Sequence, residues 1–381
     1  MIFELTEQQR KLQSDLRQLL EKEIMPRAEE IDRTGAYPRE GLKILSDFGV
    51  TGMTIPKEYG GNKKDYVTVC LVGEEIARAC LSTSCVINIY HLGSFPFLIA
   101  GSEAQRQCYL PDIAAGKRAG SFCLTELESG SDAASIKATA VLKGDKYLIN
   151  GHKIFIGNTG ESDIYVVFAK TDATKGARGI SAFIVEKGTP GFRIGEIYLK
   201  MGINGQRTGE LFFENCEVPK ENLLGVEGEG LKIALKTLNI ARVTVAAQAL
   251  GVAQAAMEES LQYALKRQQF GKPIFENQGI QFKIANMATQ IHAARLMTLD
   301  AAARLDEGMI PIKECSMAKY CATETANRVA YDAVEIFGGR GYLKGFKVER
   351  FFRDARVLTL YEGTSEIQQI IISREMAKEQ F

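Results

Sequence analysis

The chain is poor in the residues on which metal and hydrolytic chemistry depend. Its three histidines, at 91, 152 and 292, lie far apart. Its eight cysteines, at 70, 80, 85, 108, 123, 216, 315 and 321, form no Cys-x-x-Cys pair and no cluster with His at metal spacing. No Ser or Cys stands in a recognisable nucleophile motif. Neither a metal centre nor a catalytic triad is expected, and the thiols read as reduced and mostly buried. Net charge is missing too: 47 basic residues balance 47 acidic ones, so no global field favours nucleic acid or an anionic membrane. An anionic ligand must be held by local groups. The longest apolar runs, such as Val243 to Val252, read as too short and too interrupted by Gln to span a bilayer. The first residues, Met-Ile-Phe-Glu, are unlike a secretory or transit peptide, which points to the cytosol.

What is present is an ordinary globular composition. With 381 residues, 45% of them hydrophobic and 25% charged, the chain can bury a large core and divide into two or three domains. To about Ala115 the pattern is helical: Thr6 to Ile31 repeats leucines at three and four, Gly41 to Phe48 is a short helix, and Tyr66 to Ala79 and Ser84 to Ala100 continue the bundle. From Gly120 to about Gly225 the period changes to short β-rich segments around Tyr147, Ile164, Ile180 and Leu211, which suggests a small barrel or sandwich. From Leu231 nearly forty residues run to Gln268 without a proline, a helix of about 57 Å. Helices Ile280 to Glu307 and Ile312 to Phe337 follow, and with a short last helix they form a four-helix bundle. The expected fold is thus α+β in three domains, 1–117, 118–228 and 229–381.

Chemistry concentrates near the end of the chain. Leu358 to Leu360 reads as a short extended run that Gly363 breaks, and Ser365 with Gln368 reads as a capping box opening a helix from Ile367 to Met376. Glu362 then sits on a turn beside a helix N-terminus, placed either as a proton acceptor or as a surface carboxylate before a capped helix. Upstream, Glu335-Ile-Phe-Gly-Gly-Arg-Gly341 puts three glycines where backbone can approach a ligand.

The order Ile336-Phe-Gly-Gly-x-Gly, Arg353-Asp-Ala, Tyr361-Glu-Gly-Thr-Ser-Glu-Ile-Gln resembles the C-terminal signature of the acyl-CoA dehydrogenase family of flavoproteins. Thr125-Glu-x-x-x-Gly-Ser-Asp, Asn150-Gly-x-Lys and Met201-Gly resemble its mid-domain pattern. The resemblance covers essentially the whole chain. It implies a homotetramer with one FAD per subunit, an acyl-CoA substrate and an electron-transfer flavoprotein as acceptor. It further implies that Glu362 removes the α-proton of the thioester while flavin N5 takes the β-hydride, and that the Glu362 backbone N–H and a ribityl hydroxyl meet the thioester oxygen.

By the same resemblance, FAD contacts fall on Phe122, Cys123, Leu124, Thr125, Gly130 and Ser131, and on Phe155, Ile156 and Gly157. Further contacts fall on Arg267, Phe270 and Gln278, on Glu335, Ile336, Phe337, Gly338 and Gly339, and on Thr364 and Glu366. Substrate contacts fall on Ser131, Asn239, Arg242 and Gly363. Arg242 has an ion pair within the bundle as its structural alternative. Asn88 and His91, three apart on the helix that approaches the acyl tail, point to a short, branched or cyclic acyl group, with a satisfied structural histidine as the alternative. Some branched-chain members carry the base just before the matching Arg; that position is Ala241 here, which favours Glu362. Glutaryl-type members carry an Arg where Thr83 aligns.

Three departures from the family pattern stand out: Phe155 replaces the usual Trp, Gly157 replaces the Thr or Ser whose hydroxyl meets flavin N5, and Leu127 replaces Pro. The missing donor keeps open an enoyl-reducing enzyme or a flavin monooxygenase on the same scaffold. A non-enzymatic flavoprotein is a further alternative, against which Glu362 argues.

Overall fold

Helices α1 (Glu7–Glu23) to α6 (Glu103–Ala114) precede the first strand in a computed structural model that describes residues 4–379. A reciprocal capping box between Thr6 and Gln9 opens α1. The single helix expected from Thr6 to Ile31 is in fact broken. Pro26, which has no N–H to donate, lies in a 3₁₀ turn over Met25–Arg27, and the chain resumes as α2 (Ala28–Thr34). Helices α3 (Arg39–Asp47), α4 (Tyr66–Ala79) and α5 (Leu81–Ala100) lie where the periodicity put them, with α5 starting three residues early.

The middle of the chain forms an eight-stranded sheet. Its strands are β1 (Gly120–Cys123), β2 (Thr139–Lys143), β3 (Lys146–Gly157), β4 (Ile164–Lys170), β5 (Ile180–Glu186), β6 (Phe192–Ile197), β7 (Thr208–Pro219) and β8 (Leu223–Leu224). The order is β6-β7-β3-β2-β4-β5-β8, with β1 parallel to β4. One bridge, Thr139 to Lys170, joins the two halves. They close face to face over a shared core in which Tyr147 packs edge-on against Phe183 and Tyr165 tilts on Phe192. The other face of β4 and β5 packs on α5 and α6.

The third part is built around α7 (Gly230–Lys266), whose 37 residues span about 55 Å. It is apolar on nearly every side because it packs against α4, α8 (Gln278–Asp306) and α9 (Ile312–Phe337) at once. By length and hydropathy alone α5 and α7 could cross a membrane, contrary to the reading of their runs as too short. In each, however, 83% of the apolar window is buried inside the protein.

Two expectations near the C-terminus fail. Residues up to Leu358 are not extended but belong to a helix, α10 (Lys347–Leu358), so this part holds five helices rather than four. The signal was present: Val348, Phe351, Ala355 and Leu358 are spaced three, four and three apart and all are buried. The last helix, α11 (Ser365–Lys378), is capped by Thr364, whose hydroxyl accepts the Ile367 N–H, and not by Ser365.

Candidate active site

Glu362 lies in the turn between Leu358 and Thr364, and three side chains from two helices hold that turn. Gln368 on α11 donates through Nε2 to the carbonyls of Glu362 (3.2 Å) and Gly363 (2.8 Å). Lys319 on α9 donates to the same Gly363 carbonyl at 2.8 Å. Glu324, also on α9, accepts from the Ser365 hydroxyl. Gly363 at φ 94° is required, since a Cβ there would stand 2.7 Å from the Gln368 amide nitrogen. Glu362 itself adopts φ 55°, a left-handed conformation that costs a non-glycine residue about 1–3 kcal/mol. Among six described non-glycine residues with positive φ are three that the family resemblance marks: Phe155, Phe270 and Glu362.

The carboxyl group of Glu362 stands in a dehydrated setting. Its Oε2 is fully buried and has no hydrogen-bond partner. Burial pushes the carboxyl up to about 7, against the opposing pull of the Arg242 and Lys319 cations. Arg242, on the buried stretch of α7, donates to Asn239 Oδ1 at 2.5 Å, and its Nε is buried without a partner. Burial lowers it from its ordinary value, while the Glu362 charge raises it. The bundle ion pair considered as an alternative for Arg242 is absent among the described residues; the arginine faces the Glu362 side instead. Among the described residues the Glu362 amide N–H donates to no protein acceptor, which leaves it free for a ligand oxygen.

A relay of polar side chains leads from this turn into the protein. The Tyr361 hydroxyl donates to Gln248 Oε1 (3.0 Å), and Gln248 Nε2 donates to Ser84 Oγ (3.1 Å). Ser84 and Gln248 line a small cavity between α4, α5 and α7 that is also lined by Asn88, His91 and Thr244. Asn88 and His91 are thus brought together on a pocket next to the Glu362 turn. The imidazole of His91 is buried, bonded through Nε2 to the Val50 carbonyl (2.9 Å), and lowered from its ordinary value by burial. It is therefore a neutral, satisfied histidine.

The mid-chain motifs turn out to be clasps. Lys153 is fully buried and donates to Glu126 Oε1 (2.7 Å) and to the Leu124 carbonyl (2.9 Å), while Glu126 also accepts the backbone N–H of Lys137 and of Ala138. This pair anchors the segment from Phe122 to Thr125. Asp354 accepts the Ile203 N–H, Arg353 pairs with Asp32 and Glu349, and a Cβ on Gly202 would meet the Arg353 carbonyl oxygen at 2.6 Å. The Met201-Gly and Arg353-Asp-Ala stretches are therefore the two sides of one close contact. Strand β1 ends at Cys123, and Gly130 and Ser131 lie exposed on the loop beyond it.

Residues assigned to FAD by resemblance fall into two groups. The first is on the sheet. Phe155 is turned out by a break in the β3–β7 register and leans on Tyr198, and the Ser121 hydroxyl bonds the Gly157 carbonyl at 2.7 Å, holding β1 beside β3. Thr364 and Glu366, at the start of α11, adjoin the Glu362 turn. A Cβ on Gly157 would lie 2.2 Å from Ile89 Cδ1 and 2.8 Å from Gln206 Nε2. The place of the missing hydroxyl is thus already filled by a carboxamide and an aliphatic chain.

The second group lies at the far end of α7: Arg267, Phe270 and Gln278, with Glu335 to Gly339 at the end of α9. Arg267 is about 37 Å along α7 from Arg242. Here Phe270 is 98% exposed, a Cβ added to Gly338 or Gly339 would meet no atom within 4 Å, Phe337 stacks on Tyr263, and Glu335 pairs with Lys283. Outward aromatic faces, open glycine backbone and unpartnered buried polar atoms at Glu362 and Arg242 suit a flavin and an anionic thioester.

Comparison with known proteins decides the family. The models described as acyl-CoA dehydrogenase N-terminal, middle and C-terminal domains match residues 6–117, 121–216 and 228–377. The chain belongs to the acyl-CoA dehydrogenase family. It is an FAD-dependent oxidoreductase of that family. An acyl-CoA dehydrogenase of Bacillus subtilis (strain 168) is 46% identical over 97% of this chain and 98% of its own. An acryloyl-CoA reductase (NADH) of Anaerotignum propionicum is 44% identical over 99% of this chain and 96% of its own. A chain of the solved structure described as electron transferring flavoprotein of Acidaminococcus fermentans superposes with a TM-score of 0.97, at 44% identity and 99% coverage of both chains.

Sequence reasoning missed Lys319, Gln248 and Gln206, and read Gln368 as half of a capping box where it holds the Glu362 and Gly363 carbonyls. Only Lys319 left a signal: a lysine on the apolar stripe Cys315, Ala318, Ala322 of α9.

Proposed function

We propose that the protein interconverts a short, branched or cyclic acyl-CoA and its α,β-enoyl-CoA, with Glu362 as the proton acceptor. The observation that carries this reading is the half-buried Glu362 carboxyl, whose Oε2 is buried without a partner and which is raised to about 7 against the pull of two cations. A C–H acid as weak as a thioester needs a base of this kind, dehydrated and close to neutral in pKa, together with donors that accept the negative charge moving onto the carbonyl. The free Glu362 N–H supplies one donor. Arg242 and Lys319 offset the charge around the turn. FAD, when bound, supplies the acceptor for the β-hydride.

The acid limb of the reaction follows from the same group. Glu362 acts only when ionised, so the rate of anaerobic flavin reduction at limiting acyl-CoA should rise about tenfold per pH unit below about 7 and level off above it. A rate that is flat from pH 5 to 8 would remove Glu362 as the base. The fold responds in the opposite sense. A carboxyl raised in the folded state adds stability below the unfolded carboxylate range, and that stability is lost as pH climbs through 7.

The cavity beside the turn supports the size of the acyl group. It is small, and its lining mixes Asn88 and Ser84 with apolar side chains such as Val69, Val72, Ile76 and Ile87, so it has no room for a long alkyl chain. Short, branched or cyclic acyl-CoAs should therefore turn over faster than an unbranched long-chain one, and the reverse order in a steady-state comparison would remove this assignment.

Electrons would pass to an electron-transfer flavoprotein, the protein named in the description of the similar Acidaminococcus fermentans structure. The exposed group around Phe270 and Gly338 would complete the FAD site of a neighbouring subunit in a homotetramer, since it stands far along α7 from Arg242 in its own chain. The three parts would correspond to domains 1–117, 118–228 and 229–381 of a cytoplasmic enzyme. A second reading is enoyl-CoA reduction as the physiological direction. It is favoured by the replacement of a hydroxyl at Gly157 and by the 44% identity to an acryloyl-CoA reductase. Glu362 serves both directions, returning the same proton to the α-carbon.

A further inference from the structure

We propose that Lys319 is a positioning residue for the base, clamping the turn through the Gly363 carbonyl and holding a buried positive charge next to it. The inference rests on the reading of Glu362 as the base and names what holds and tunes it. Lys319 is fully buried, and among the described residues its Nζ makes one hydrogen bond, at 2.8 Å, to a backbone carbonyl next to that residue. Burying an ammonium without a carboxylate in contact is costly, and a methionine, one heavy atom shorter, would fill most of the space with no such cost. The charge therefore has a use that packing does not supply.

The surroundings identify that use. Facing the Glu362 turn are Arg242 from α7, Lys319, Cys315 and Glu324 from α9, Glu366 from α11, Tyr361 in the turn itself, and Cys85 of α5 against the Tyr361 hydroxyl. Of these Arg242 and Lys319 are the cations that pull the carboxyl back towards ionisation, while a third cation at the turn, Arg356 of α10, donates to the Thr359 hydroxyl. Glu324 is already engaged by Ser365, and Gln368, neutral, shares the Gly363 carbonyl with Lys319. Lys319 thus does two things at once. It fixes the backbone of a residue held at φ 55°, and it opposes the dehydration of that residue's carboxylate. Burial in turn lowers Lys319 to about 8, against the opposing pull of the Glu362 charge.

Two variants of the FAD-loaded enzyme separate the clamp from the charge. Lys319→Gln keeps a donor for the Gly363 carbonyl and drops the charge; Lys319→Met drops both. The protonated-carboxyl infrared band of Glu362, identified by its absence in Glu362→Gln, should titrate about one pH unit or more higher in both variants than in the parent. The acid limb of anaerobic flavin reduction should move with it. Above the limb, Lys319→Met should lose at least tenfold more of its reduction rate than Lys319→Gln, with little change in the acyl-CoA concentration at half-saturation. If Lys319→Met does not fold, the band and limb of Lys319→Gln alone decide. An unmoved band and limb in folded Lys319→Gln overturns the inference. A limb that persists in Glu362→Gln instead overturns the assignment of the base, so the two failures are distinct.

Discussion

Glu362→Gln should give a folded, yellow protein that still binds an acyl-CoA but whose flavin bleaches roughly 10²–10⁴-fold more slowly, towards the upper end of that range. The substitution keeps side-chain length and removes only the proton acceptor. The turn is held by main-chain carbonyls to Gln368 and Lys319 and by the Thr364 cap, none of which uses the Glu362 carboxylate. Folding should hold or improve slightly, because a carboxylate whose Oε2 is buried with no hydrogen-bond partner is replaced by a neutral amide. Stopped-flow reduction at saturating acyl-CoA, with FAD content measured in parallel, checks this. Bleaching at a near-normal rate would mean that another group takes the proton; loss of FAD would show Glu362 holding the cofactor site together.

The largest effect expected on stability lies far from the base. Lys153→Ala should destabilise the protein by about 3–5 kcal/mol, because it strands the buried Glu126 carboxylate and the Leu124 carbonyl and opens a hole between β1 and β3. Against a total of about 5–15 kcal/mol that is a large fraction, so unfolding in urea should begin at markedly lower concentration. The double variant Lys153→Met with Glu126→Leu should recover part of the loss, since it removes both charges together, although the Lys137 and Ala138 amides then lose their acceptor. A Lys153→Ala midpoint equal to the parent's would mean that the pair is dispensable to the β1 turn.

Periodic features are legible in the sequence. The leucine spacing of α1, the long proline-free α7 and the short β-rich runs around Tyr147, Ile164 and Ile180 follow from burial on one face or all round. Boundaries are less legible where two local preferences compete. Pro26 ends α1 inside an otherwise helical pattern, and the run from Leu358 to Leu360 suits a strand as well as it suits the end of α10 and the turn beyond it. The order of motifs locates Glu362, but not what holds it. Lys319 stands 43 residues away and Gln248 114 residues away, and neither has a local pattern that announces a partner in the turn; packing of α7 on α9 brings them there. Gly157 illustrates the same limit. A missing side chain is visible in sequence, whereas the Gln206 and Ile89 groups that fill its place are not.

Anaerobic titration of the purified FAD-loaded protein with a panel of thioesters (propionyl-CoA, isobutyryl-CoA, cyclohexanecarbonyl-CoA and palmitoyl-CoA) tests the central chemistry most directly. A base and a flavin meeting one acyl-CoA should let at least one short, branched or cyclic member bleach the oxidised flavin absorbance without oxygen, and the corresponding enoyl-CoA should restore it. No change in the flavin spectrum with any member of the panel, at concentrations that saturate binding, would contradict α,β-dehydrogenation and its reverse alike.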